Sequence, residues 1–110
     1  MSHSSSEQAA ICNAGEFTAV NVALAPAAPG VYLLYRGPQV IYIGVAAYGT
    51  TIRERLQRHQ RGEEGPCTQA ASEFEYEATS DPLARYRVHL RAYFERSGGQ
   101  VPSCNERHAS

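Results

Sequence analysis

The sequence contains no Trp and no Lys, a single Met and only three Cys. Without Trp, the bulk of any core falls to seven Tyr and three Phe. No apolar run approaches the ~20 residues of a membrane span, so neither a spanning helix nor a membrane partner is expected. Met1 to Gln8 holds no basic cluster followed by an apolar stretch, so no secretory signal is expected. Cys12, Cys67 and Cys104 form no CxxC and are odd in number. They point to reduced thiols in a cytoplasmic protein rather than to a disulfide framework. With His108 they match no zinc-ligand spacing.

What is present suits one domain. The chain has 110 residues, of which 43% are apolar, enough for a modest single core. A net charge of −1 does not by itself suggest a polyanion binder. All ten basic residues are Arg, whose planar fork pairs with phosphate through two donors. Arg53, Arg55, Arg58 and Arg61 fall in one short segment, and Arg85, Arg87 and Arg91 in another. Charge alone reads most simply as solvated helix faces.

Local patterns give an element order of β-β-α-β-α. Residues 1–15 are Ser-rich and read as a tail, 16–106 as the domain, and 107–110 as a second tail. Phe17 to Leu24 reads as a short helix or strand, ended by Pro26 and Pro29. Val31 to Tyr35 and Val40 to Val45 are strands joined by a Gly37-Pro38 turn, hence an antiparallel hairpin. Thr51 to Glu54 reads as a capping box opening a helix to Arg61, with Ile52, Leu56 and His59 inward. Ser72 to Thr79 alternates acidic and apolar residues, as a half-buried edge strand with its acids in water would. Asp81 and Pro82 open a last helix carrying Leu83, Tyr86 or Arg87, Leu90, Tyr93 and Phe94. Val101 to Asn105 reads as extended. The expected fold is α/β, with a small three-stranded, mainly antiparallel sheet flanked by helices.

Gly30-Val31-Tyr32 and Tyr42-Ile43-Gly44 lie on the two strands of the hairpin, their tyrosines ten residues apart. In motif and spacing the chain resembles the GIY-YIG superfamily of metal-dependent nucleases. Arg55-Leu56 on the first helix, His59 one turn later, and Asn105 shortly after Pro102 also match. The resemblance covers Gly30 to Asn105. It departs at one place: the family's metal-binding Glu, on the helix before that Asn, has no counterpart between Leu83 and Phe94. Its position falls on Tyr86 or Arg87, with Tyr86 favoured. Glu95 lies on the opposite helix face, nine steps of ~100° away. His89 shares the face of Tyr86.

The resemblance implies an endonuclease that cleaves phosphodiester bonds with Mg²⁺ or Mn²⁺, acting on DNA in preference to RNA. Tyr32 would act as base or orient the water, although an ordinary phenol ionises only near pH ~10. Arg55 would hold the scissile phosphate, Tyr42 would hydrogen-bond there, and His59 would assist proton transfer. Gly30, Gly44, Arg53, Arg58 and Asn105 would bind substrate or shape the site. Tyr86, and more weakly His89, would stand where a metal ligand is needed. A neutral phenol is a poor substitute for a carboxylate toward a hard cation, so weakened activity is expected. The alternative is an inactive nucleic-acid-binding or protein-interaction module on the same fold.

Overall fold

The computed structural model describes residues 13–108, so Cys12 lies outside the described residues. A four-stranded antiparallel sheet runs in the order β1-β4-β2-β3. Its strands are β1 (Asn13–Glu16), β2 (Gly30–Arg36), β3 (Gln39–Ala46) and β4 (Glu73–Ala78). The helices are α1 (Ala19–Ala23), α2 (Ile52–Gln60), α3 (Pro66–Gln69), α4 (Pro82–Arg96) and α5 (Ser103–His108). No described helix is long and apolar enough to cross a membrane.

The hairpin forms as expected. Gly37 takes a left-handed φ of 60° at the turn, a conformation that costs glycine little. Register puts Tyr32, Leu34, Tyr42, Gly44, Phe74 and Tyr76 on one face of the sheet. Here they meet Ile52 and Leu56 of α2 in the larger apolar cluster. Val31, Leu33 and Ile43 lie on the other face, packed with Tyr86, Leu90 and Tyr93 of α4. The sheet therefore separates α2 from α4, and each helix covers its own apolar layer.

The capping box at α2 is complete. Glu54 N–H donates to Thr51 Oγ1 at 3.1 Å, and Thr51 N–H donates to Glu54 Oε1 at 3.2 Å. Ile52, Leu56 and His59 are buried on its inner face, as their spacing predicts. Asp81 caps α4 through Ala84 N–H, with Pro82 at its start.

Four expectations are corrected. The sheet has four strands, not three, because Asn13–Glu16 pairs with β4; the strand thus begins inside the stretch read as a tail. β4 is an interior strand, not an edge. Two of its acids are half-buried and paired: Tyr35 donates to Glu75 at 2.7 Å, and Glu77 lies 3.2 Å from Arg85 and 3.1 Å from His89. Asn105 lies in a short helix, which runs to His108 and so into the segment read as the second tail. Finally, Cys67 and Cys104 form a disulfide across a separation of 37 residues. The thiol argument for a reduced, cytoplasmic chain therefore loses its basis.

Candidate functional site

The two sequence motifs touch each other. Tyr32 of β2 is the register partner of Gly44 of β3, and the Tyr32 ring lies over the glycine. A Cβ on residue 44 would run into that ring. Gly30 is similarly confined, since a Cβ there would meet the Glu77 carbonyl oxygen and Ile52 Cδ1. Both glycines therefore serve packing.

Tyr32, Tyr42, Arg55 and His59 come together where the hairpin faces α2. Tyr32 and His59 are fully buried, and Tyr42 nearly so, at 0%, 0% and 7% exposure. The His59 ring lies 5.5 Å from the Tyr32 ring and 4.9 Å from the Tyr42 ring, centroid to centroid. Tyr32 Oη is 2.8 Å from His59 Nε2, and His59 Nδ1 is 2.8 Å from Thr68 Oγ1. The Arg55 guanidinium stands close enough to stabilise charge on the Tyr32 and Tyr42 phenols. One proton order that satisfies these contacts has the phenol O–H donating to Nε2. The Nδ1–H then donates to Thr68.

Electrostatics oppose the base role expected of Tyr32. Burial, reinforced by Tyr42, holds its phenol far above the usual value of 10.0, and the neighbouring Arg55 only partly offsets this. Burial raises Tyr42 as well, again against the pull of Arg55. Phenolate at neutral pH is disfavoured at both positions. Arg55 remains a firm cation. Burial alone would lower its pKa, but Tyr32, Tyr42 and Glu64 outweigh that and raise it. Its Nε is buried without a hydrogen-bond partner.

Arg55 also lines an open cleft of about 530 Å³ with Arg58, Arg61, Glu54 and Glu63. Arg58 pairs with Glu64 at 3.1 Å, and Arg61 with Glu63 at 2.7 Å. These arginines are about half exposed, and such surface pairs are weak and salt-sensitive. Arg53 is turned to a different use: its Nε donates to the Ala25 carbonyl at 2.8 Å, tying α2 to the preceding loop.

Asn105 positions backbone. Its side-chain oxygen accepts from Ile43 N–H at 2.8 Å, and its side-chain N–H donates to the Ile43 carbonyl at 3.0 Å. It thereby covers the outer edge of β3 beside Tyr42.

The metal position does not assemble. Tyr86 packs against Val31, Leu33, Val40 and Ile43, across the sheet from Tyr32. His89 is held by Glu77 on that same far side. Among the described residues, no three His, Cys, Asp or Glu side chains converge to hold a metal ion. The residues present do not fit Mg²⁺ or Mn²⁺, which take oxygen ligands, carboxylates above all.

Two residues of the site escaped sequence reasoning. Thr68 reaches His59 from α3, and only the fold reveals it. Glu64 approaches from the α2–α3 loop, and its charge acts on Tyr32, Tyr42 and Arg55. Neither stands in a recognisable spacing. Compared with protein-family models, curated proteins and solved structures, the chain matches none.

Proposed function

We propose that the chain is a GIY-YIG-type domain that binds the phosphodiester backbone of nucleic acid, DNA in preference to RNA, through Arg55. Metal-dependent cleavage is weak or lost. The reading is carried by one observation: Tyr32, Tyr42 and His59, drawn from two strands and a helix, form one hydrogen-bonded, ring-packed cluster with the Arg55 cation beside its tyrosines. Arg55 brings a firm cation to the edge of an arginine-lined cleft. A phosphate entering that cleft would pair with the Arg55 guanidinium and exchange with Glu64 on Arg58 and Glu63 on Arg61. The loss of cleavage follows from Tyr86, which is a packing residue of the α4 layer.

The test is titration of labelled single-strand and duplex oligonucleotides over a range of salt. Binding should weaken steeply as salt rises, because phosphate contacts release counterions. Arg55→Ala should weaken it and reduce the salt slope by about 1. Binding that is absent at low salt would defeat the reading. Plasmid cleavage with Mg²⁺ or Mn²⁺ decides the second part. An inert native chain supports lost catalysis. A native chain that cuts, with Arg55→Ala inert, would instead make it a working endonuclease.

A further inference from the structure

The disulfide lies one residue from the site at both of its ends. Cys67 precedes Thr68, which holds His59 Nδ1 at 2.8 Å. Cys104 precedes Asn105, which holds both backbone groups of Ile43, the neighbour of Tyr42. One covalent bond therefore fixes both supports of the Tyr32–His59–Tyr42 cluster. α3 has four residues and α5 has six. Helices so short have no stability of their own and depend on what anchors them.

The bond is also reachable. Cys67 and Cys104 line a cleft of about 450 Å³ with Arg36, Ile41, Glu64 and Ser103. Cys104 is 1% exposed, whereas Cys67 is only half-buried, so Cys67 is the end of the bond nearer solvent.

We propose that Cys67–Cys104 is a thiol-exchange site at which a dithiol reductant disassembles the candidate site and reoxidation restores it. A thiolate of the dithiol attacks Cys67 Sγ. The Sγ–Sγ bond breaks, and Cys104 leaves as thiolate and takes up a proton. The second thiol of the reductant then attacks the mixed disulfide, releasing Cys67 and closing a cyclic disulfide. Two electrons pass from the dithiol to the cysteine pair. Freed from each other, α3 and α5 loosen, Thr68 withdraws from His59, and Asn105 releases Ile43.

Nucleic-acid affinity rests on the functional reading above, but the assembly of the site does not, so both are measured. A Cys12→Ser chain removes the third thiol. Amide exchange and the His59 ring protons are followed by NMR in the oxidised, dithiothreitol-reduced and reoxidised states. Labelled oligonucleotide affinity is measured beside them. Reduction should speed exchange at Thr68 and Ile43 and shift the His59 ring signals, with the circular dichroism melt still cooperative. Reoxidation should reverse every change. Affinity should fall about tenfold, the order of a typical coupling between sites. Thr68→Val should move the ring signals in the oxidised chain, with no reductant present.

Unchanged exchange and ring signals on reduction would overturn the proposal. So would outright unfolding, which would make the bridge a staple only. If the NMR changes occur but no state binds nucleic acid, the exchange site stands and the functional reading falls.

Discussion

The Tyr32 ring occupies the space that a side chain at position 44 would need, and its register partner there is glycine. The second motif's glycine is thus shaped by the first motif's tyrosine. Gly44→Ala should force the ring away from His59 and cost about 1–3 kcal/mol, as overpacking of a filled core does. Denaturant unfolding measures it. A loss confined to a few tenths of a kcal/mol would mean the ring has room to move.

Tyr32 also predicts an alkaline limit to stability. Its pKa is raised on folding, so the unfolded phenol, near 10.0, loses its proton first. Below that pH both states keep the proton and stability is intact. Above it the unfolded state binds fewer protons, and stability falls by about 1.4 kcal/mol per pH unit for this residue. Absorbance at phenolate wavelengths should show Tyr32 ionising together with unfolding. A Tyr32→Phe chain should lose this part of the slope.

Glu64 is the carboxylate whose field reaches both site tyrosines and Arg55. Glu64→Gln should free Arg58 from its partner and remove a negative charge facing incoming phosphate. Oligonucleotide affinity at low salt should rise by a few fold, on the scale of one neutralised surface charge. Unchanged affinity would show that the cleft is not where the backbone lies.

His89 should behave as a structural histidine. It bridges α4 to β4 through Glu77 at 3.1 Å, with Arg85 sharing the same carboxylate. His89→Gln should cost about 1 kcal/mol of stability. It should leave oligonucleotide binding untouched and change no Mn²⁺ uptake by calorimetry. A measurable loss of Mn²⁺ binding would restore His89 as a ligand.

The parts of the fold that local chemistry dictates were legible in the sequence. The β2–β3 hairpin follows from its turn and β-branched runs, and α2 from its capping box and the spacing of Ile52, Leu56 and His59. β1 escaped notice because Asn-Ala-Gly-Glu carries no strand signal; pairing with β4 alone makes it a strand. The alternation of β4 was read correctly as strand, with Phe74 and Tyr76 on the core side, but its acidic side was wrongly placed in water. Glu75 and Glu77 are tolerated beneath α4 because Tyr35, Arg85 and His89 satisfy them, and pattern cannot show a partner. Cys67 and Cys104 stand 37 residues apart, so only the packing of α3 near α5 brings them together. Of the site, the motif-bearing residues were foreseen, whereas Thr68 and Glu64 arrive from segments without motif.

The amide of Asn105 has a consequence beyond the site. β3 ends the sheet, and at Ile43 the place of a fifth strand is taken by one side chain that mimics a peptide group, donor and acceptor both. An open strand rim is a template for other chains. A chain cut before Ser103 would leave Ile43 unpaired on an apolar strand, and such fragments should recruit one another into growing, β-rich assemblies.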